Sequence, residues 1–163
     1  MASTARLIIR ELIEKHETVA VAESLTGGLL SAALVDVPGA SACLRGGACT
    51  YAVDTKARVL NVSGAALEET GPVDPKVAMQ MARGATELFD ARYGLSTTGV
   101  AGPGAADGHP AGTVYVGFHD REAGTSAATL FSLSGNRMEI RQAATQAALD
   151  YFYDQLSGVE ALF

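Results

Sequence analysis

The stretch from residue 18 to residue 37 constrains the fold most, because it encodes a strand, a polar turn and a helix in succession. Val19 and Val21 lie in a short apolar run that is typical of a buried strand. Polar and glycine residues then interrupt this run, and from Leu29 the apolar residues recur at helical spacing. In open α/β sheets, ligands bind at the carboxyl ends of strands, where free N–H groups and the positive end of a helix dipole gather. The stretch therefore predicts an α/β protein with a candidate site in the turn 23–28.

Ser24 and Thr26 supply hydroxyl groups to this turn, and two interpretations are open for them. Hydroxyl side chains are preferred at helix N-caps, and on local sequence alone capping is the simpler role. The alternative is a nucleophile, which needs an activating base. No histidine lies in a strongly patterned segment outside the longest loop, so Lys56 is the candidate base. Because a free lysine titrates at about pH 10.4, a catalytic Lys56 requires desolvation or a neighbouring cation; the alternative is an ordinary solvated surface lysine.

Composition and charge exclude several classes of function. The chain has 163 residues, 48% of them hydrophobic and 18% charged, which predicts a single soluble globular domain over residues 1–163. The formal net charge of −6, without a run of lysine or arginine, argues against a nucleic-acid-binding surface. No apolar run reaches membrane-spanning length, and the N-terminus has no signal-peptide pattern. We therefore expect a cytoplasmic protein with no nucleic-acid or membrane partner.

The cysteines and histidines do not indicate a metal site. Cys43 and Cys49 match no zinc spacing and form no disulfide framework, so we expect both to be reduced and buried. The three histidines are scattered along the chain and form no ligand motif. The sequence accordingly predicts no metal and no cofactor.

The order of the elements predicts a three-layer α/β/α sandwich with a mixed, largely parallel sheet. Helices are expected over residues 4–16, 26–37, 54–60, 65–70, 74–93 and 136–156. Strands are expected before Glu23, in the second half of 43–53, and at 95–100, 113–118 and 125–133. The last two strands should form an antiparallel hairpin, since only a short turn joins them. Gly46 and Gly47 indicate a bend or a close backbone approach.

Three polar segments at strand ends supply the other candidate residues. They are residues 23–28, 50–56 and 98–104. Turns that follow parallel strands converge on one edge of a sheet, so these segments could surround one pocket. Tyr51 could transfer a proton or simply pack in a strand, and the glycine loop from Gly99 could present N–H groups to an oxyanion or phosphate. Arg137 and Arg141, one helical turn apart, could hold a phosphate, although such arginines more often pair with surface carboxylates.

Several motifs occur in a fixed order along nearly the whole chain. They are Ala-Glu-Ser-Leu-Thr-Gly-Gly at 22–28, Arg-Gly at 45–46, Thr-Tyr at 50–51 with Lys56, Thr-Gly-Val-Ala-Gly-Pro-Gly at 98–104, Pro-Ala-Gly-Thr-Val at 110–114, and Ser-Gly-Asn-Arg at 134–137 with Ile140 and Arg141. In this order and spacing they resemble the CinA C-terminal domain family. The enzymatic members of that family are nicotinamide-nucleotide amidohydrolases, also called NMN deamidases.

The resemblance implies hydrolysis of nicotinamide mononucleotide (NMN) to nicotinate mononucleotide and ammonia, without a metal, in pyridine-nucleotide salvage. The family serine falls on Ser24, the lysine that acts as its base on Lys56, and the tyrosine of the Thr-Tyr element on Tyr51. The expected substrate-binding residues are Thr26, Gly27, Gly28, Thr98, Gly99, Gly102, Gly104, Arg137 and Arg141. The resemblance and the apolar helices also lead us to expect a homodimer.

Three positions depart from the family pattern, and Ser24 and Lys56 are not among them. Leu25 stands where many members have cysteine, Asn136 where aspartate is usual, and His109 where lysine is common. The changes at Asn136 and His109 leave open a non-catalytic nucleotide-binding or partner-binding protein of the same fold. An amidase for another small amide is a third hypothesis.

Overall fold

The structure is a computed structural model that describes residues 1–158. Within these residues five strands form one sheet: β1 (Val19–Glu23), β2 (Leu44–Cys49), β3 (Tyr93–Gly99), β4 (Thr113–Asp120) and β5 (Thr125–Ser132). The α-helices of the same part of the chain are α1 (Thr4–Lys15), α2 (Leu29–Val35), α3 (Val53–Leu60), α4 (Gly64–Thr70), α5 (Pro75–Phe89) and α6 (Arg137–Ser157). A short 3₁₀ helix spans Ala40–Ala42.

The strand order in the sheet is β2-β1-β3-β4-β5. β1 pairs in parallel with both β2 and β3, whereas β4 is antiparallel to β3 and to β5. Four of the five strands therefore run in one direction, which confirms the predicted mixed, largely parallel sheet and its terminal hairpin. The carboxyl ends of β1, β2 and β3 meet at one edge, where an open α/β sheet binds its ligands.

Helices cover both faces of the sheet, as the three-layer prediction requires. Every residue of β1 is buried, and successive side chains of a strand point to opposite faces. Val19 and Val21 pack in a core cluster with residues of α1, α2 and α6. Ala20 and Ala22 pack in a second cluster with residues of α3, α4 and α5. On this second face the layers are close: a Cβ atom on Gly94 would lie 1.9 Å from the carbonyl oxygen of Ala82 in α5.

Several element boundaries differ from the sequence prediction; helix α2 spans Leu29–Val35 where 26–37 was predicted, and strand β3 begins at Tyr93 and not at residue 95. The second strand occupies the first half of segment 43–53, so the prediction of its second half was wrong. Gly46 and Gly47 lie within this strand. Neither position has room for a side chain, because a Cβ atom would lie 2.6 Å from the Phe89 ring at Gly46 and 2.4 Å from Ser31 Oγ at Gly47. The predicted close approach is thus confirmed. Helix α5 ends at Phe89, before the predicted residue 93, because Asp90 adopts a left-handed conformation and caps it.

The cysteines also differ partly from expectation. Both are free, and Cys43 is buried, but Cys49 is exposed, which corrects the prediction that both are buried. β2 lies at the edge of the sheet and alternates between half-buried and exposed residues, and Cys49 falls in the exposed set.

As for the helices, none in residues 1–158 has both the length and the apolarity to cross a membrane.

Candidate active site

Ser24 and Lys56 are in direct contact at the carboxyl end of β1. Ser24 is the first residue after β1, and its N–H donates to the carbonyl of Thr97 in β3 at 3.1 Å. Lys56 lies in the middle of α3 and is 1% exposed. Its Nζ donates to Ser24 Oγ at 3.0 Å and to the carbonyl oxygen of Thr50 at 2.5 Å. The structure therefore brings together the two residues that the sequence selected as nucleophile and base.

The surroundings of Lys56 change its protonation. Burial lowers the pKa of Lys56 from 10.5 to about 8, and the nearby negative charge of Asp107 acts in the opposite direction. Burial dominates because an ammonium group loses its hydration shell when it is enclosed by protein. A substantial fraction of the amine is therefore neutral at mildly alkaline pH, and a neutral amine can accept the proton of Ser24.

A buried carboxylate that sequence reasoning missed shapes the turn that carries Ser24. Glu23 is fully buried and accepts hydrogen bonds from five donors. These are the hydroxyls of Thr26 (2.6 Å) and Ser31 (2.7 Å) and the N–H groups of Gly28 (3.2 Å), Leu30 (2.8 Å) and Ser31 (3.0 Å). Gly28 is the N-cap of α2 and has no side chain to cap it, so Glu23 satisfies the first N–H groups instead of Ser24 or Thr26. The sequence signal from which this role could have been predicted is an acidic residue shortly before a predicted helix start.

Arg141 holds the same turn from the other side. Its Nε donates to the carbonyl oxygen of Leu25 at 2.8 Å, and its Nη2 to that of Thr26 at 3.1 Å. The Leu25 carbonyl and the Thr26 N–H belong to one trans peptide, in which C=O and N–H point in opposite directions. Because the carbonyl faces Arg141, the Thr26 N–H points away from it. The N–H groups of Leu25 and Thr26 make no hydrogen bond within residues 1–158. Two backbone donors of the turn are therefore free beside Ser24, of which the Thr26 N–H belongs to a fully buried residue and the Leu25 N–H to one that lines the cavity described next.

A cavity of about 510 Å³ opens above the serine–lysine pair. Eight of the residues selected from the sequence line it: Ser24, Tyr51, Lys56, Thr98, Gly99, Gly102, Gly104 and Arg137. Four do not, namely Thr26, Gly27, Gly28 and Arg141, and all four belong to the turn or its support. Asp107 also lines the cavity and was not selected.

Arg137 joins three elements at the rim of the cavity. It is the first residue of α6, and its guanidinium donates to the carbonyl of Gly102 and, at 3.0 Å, to the hydroxyl of Tyr51. Tyr51 is 64% exposed and lies outside β2, so it does not pack within the strand. A guanidinium has five N–H donors, of which these contacts use two. Arg137 can therefore bind an anion without leaving its position.

Asn136 and His109, two of the residues that differ from the family pattern, do not line the cavity. Asn136 caps α6 in a capping box: its side chain accepts from the N–H of Glu139 at 2.9 Å, and Glu139 accepts from the N–H of Asn136 at 2.7 Å. Asparagine and aspartate cap helices equally well, so the missing carboxylate does not change this role. His109 closes a loop turn by exchanging backbone hydrogen bonds with Ala106. Neither change removes a group that faces the serine–lysine pair.

Fold and site together define an α/β protein with a buried serine–lysine pair at the carboxyl ends of parallel strands. The chain belongs to the CinA C-terminal domain family, whose model matches residues 1–156. A CinA-like protein from Frankia casuarinae is 42% identical over 153 residues, which are 94% of this chain and 35% of that protein. The chain spans about a third of the length of the curated relatives it matches.

Solved structures agree with this assignment. The competence/damage inducible protein CihA from Agrobacterium tumefaciens is 34% identical with a TM-score of 0.88, over 94% of this chain and 93% of that one. A competence-damaged protein (CinA) superfamily protein from Escherichia coli is 31% identical with a TM-score of 0.89, over 93% of this chain and 88% of that one. These likenesses establish the family and the fold.

Proposed function

We propose that the chain is a nicotinamide-nucleotide amidohydrolase that converts NMN and water to nicotinate mononucleotide and ammonia. The observation that carries the proposal is the 3.0 Å contact between Lys56 Nζ and Ser24 Oγ, in a buried setting that lowers the pKa of the lysine. A serine needs such a base to attack an amide, whereas a solvated lysine stays protonated. The family motifs supply the substrate class. The expected cytoplasmic location and homodimer belong to this proposal.

In the first half of the reaction, neutral Lys56 accepts the Ser24 proton as Oγ attacks the carboxamide carbon. The negative charge that develops on the carbonyl oxygen is stabilised by the N–H group of Leu25, which lines the cavity and makes no other hydrogen bond through this group within residues 1–158. The Gly27 N–H cannot serve, because it donates to the Ser24 carbonyl at 3.1 Å. The C–N bond then breaks, and protonated Lys56 donates its proton to the departing nitrogen, which leaves as ammonia.

In the second half, water hydrolyses the resulting nicotinoyl ester of Ser24. Lys56, neutral again, accepts a proton from water as the water oxygen attacks the ester carbon. The ester C–O bond breaks, Ser24 recovers its proton from Lys56, and the carboxylic acid product releases its remaining proton to solvent and leaves as the carboxylate. Arg137 at the rim binds the substrate phosphate with the N–H groups that its protein contacts leave unused.

The direct test is ammonia release by the purified protein from NMN, from free nicotinamide and from a panel of small amides, with and without EDTA. We expect release from NMN, none from free nicotinamide, and no effect of EDTA, because the proposed chemistry uses only protein groups. A Ser24→Ala preparation purified in parallel controls for contaminating amidohydrolases. Release from another amide but not from NMN would favour the small-amide amidase, and a folded sample without any release would favour the non-catalytic binding protein.

The proposed base predicts how the rate depends on pH. Only neutral Lys56 accepts a proton, so kcat/KM should rise with pH through about 8 and level off above it. With a pKa of about 8, the rate at about pH 7 should be roughly a tenth of the plateau. The measurement is kcat/KM for NMN across the alkaline range. A profile that falls with increasing pH through this region would contradict a neutral lysine base.

A further inference from the structure

The cavity above the serine–lysine pair carries two further charges of opposite sign. Its charged lining residues within the described chain are Lys56, Asp107 and Arg137. Lys56 is bound to Ser24 and must be neutral for catalysis, which leaves one carboxylate and one guanidinium to face a ligand. Arg137 at the rim suits a phosphate, but a ligand with only a phosphate gives no reason for a carboxylate in the same cavity.

We propose that Asp107 is a specificity-determining residue that recognises the positive charge of the substrate's pyridinium ring. This inference rests on the proposed function, because it concerns the same cavity and the same substrate. In NMN the carboxamide carbon is bonded directly to the ring, and the ring nitrogen is quaternary and positively charged. When Ser24 Oγ approaches that carbon, the ring must lie beside the serine–lysine pair. A carboxylate close to this pair therefore attracts an oxidised ring and does not attract a neutral one.

The position of Asp107 supports this role. Asp107 and Lys56 line the same cavity, and the negative charge of Asp107 offsets part of the burial effect that lowers the pKa of Lys56. Asp107 takes part in no ion pair and no side-chain hydrogen bond within residues 1–158, whereas Asp54 on α3 pairs with Arg58. Its charge is thus uncommitted and accessible to a ligand.

The backbone holds Asp107 at the tip of a closed turn. The N–H of Ala106 donates to the carbonyl of His109 at 3.0 Å, and the reverse bond is 2.9 Å long. Asp107 has a φ of 52°, in the left-handed region that asparagine and aspartate adopt more readily than other side chains. Asp107→Asn therefore removes the charge and keeps the turn, which makes it a suitable test variant.

The test compares NMN with its reduced form, NMNH, in which phosphate, ribose and carboxamide are the same but the ring is neutral. Dissociation constants are measured in a Ser24→Ala background, so that binding is observed without turnover, at about pH 9, where Lys56 is mostly neutral. We expect Asp107→Asn to weaken NMN binding by about two- to fivefold and to leave NMNH binding unchanged. Asp54→Asn, which removes the same charge outside the cavity, should change neither.

The outcomes separate this inference from the proposed function. Equal losses for NMN and NMNH would mean that Asp107 acts through the loop structure, and unchanged NMN binding would mean that it does not sense the ring; either overturns the inference. Hydrolysis of NMN by the unmodified chain is assayed separately. If the chain hydrolyses NMN and Asp107→Asn has no selective effect, only the inference fails. If the chain binds NMN selectively through Asp107 without hydrolysing it, only the proposed function fails, and if it binds neither nucleotide, both fail.

Discussion

Lys56→Met is expected to lower kcat for NMN hydrolysis by at least about 10³-fold, because it removes the one side chain within residues 1–158 that contacts Ser24 Oγ and can accept its proton. Methionine has a similar unbranched shape, so the packing of α3 against the sheet should survive. The measurement is the rate of ammonia release across the pH range in which Lys56 titrates. Lys76→Met, an exposed lysine at the start of α5, is the matched control and should retain the full rate.

The same substitution should not destabilise the protein at about pH 7. The pKa of Lys56 is about 8 in the folded chain and 10.5 when free, so between these values the unfolded state binds more protons and stability rises with pH. Below about pH 8 the buried ammonium costs about 3 kcal/mol, and methionine removes this cost. Against this gain, the Thr50 carbonyl loses its donor, which costs about 1 to 3 kcal/mol. Urea unfolding curves should therefore show equal or higher stability for Lys56→Met at about pH 7, and a smaller difference above about pH 10.5.

Ser24→Ala provides the second half of this test, because a nucleophile and its base act as one unit. Each single variant should lose nearly all activity, and the double variant should be no slower than the slower single variant. Additive losses would mean that the two residues act in separate steps. A folded Ser24→Ala protein that retained the wild-type rate would contradict the covalent mechanism.

The position of Ser24 could be predicted from local sequence signals, whereas the burial of Lys56 could not. The apolar run before Glu23, the glycines and the helical spacing after residue 28 are local signals, and they placed Ser24 correctly at a sheet edge. The burial of Lys56 is not local, since Asp54 and Arg58 two residues away on either side are exposed. The amine is enclosed because the folded chain brings it against Ser24 and Thr50. The lack of a histidine in the patterned segments made this lysine a candidate, and the motif resemblance, rather than periodicity, then favoured it over its role as a surface residue.

Arg137 and Arg141 illustrate the same limit. In the sequence they are equivalent candidates, because residues four apart share one helix face. In the structure one turn of α6 separates them, so Arg137 reaches the cavity rim while Arg141 donates to the carbonyls of Leu25 and Thr26. Asp107 was missed for a related reason: the long loop has no periodic pattern, and only its folded turn brings the carboxylate to the cavity.

Replacing Glu23 should have the largest effect on stability, because its side chain accepts from three backbone N–H groups that have no other hydrogen-bond partner within residues 1–158. Glu23→Ala would leave the N–H groups of Gly28, Leu30 and Ser31 without their acceptor inside the protein. We expect a loss of about 3 to 5 kcal/mol in the free energy of unfolding, since hydrogen bonds to a buried charge are strong and unmet donors are costly. Urea unfolding measures this loss, with Ser31→Ala, which removes one of the five donors, as a control that should lose about 1 kcal/mol.

Glu23→Gln separates stability from catalysis, because glutamine keeps the shape of the side chain but turns an NH₂ group toward donors. The turn should shift, and with it Ser24 and the free N–H groups of Leu25 and Thr26. We expect kcat to fall at least about tenfold in a sample that is still folded, because small displacements of a nucleophile are costly in rate. Ammonia release is assayed well below the unfolding midpoint of the variant. A Glu23→Gln protein with wild-type stability and rate would mean that the turn holds its geometry without the carboxylate, and that Arg141 alone is sufficient to position it.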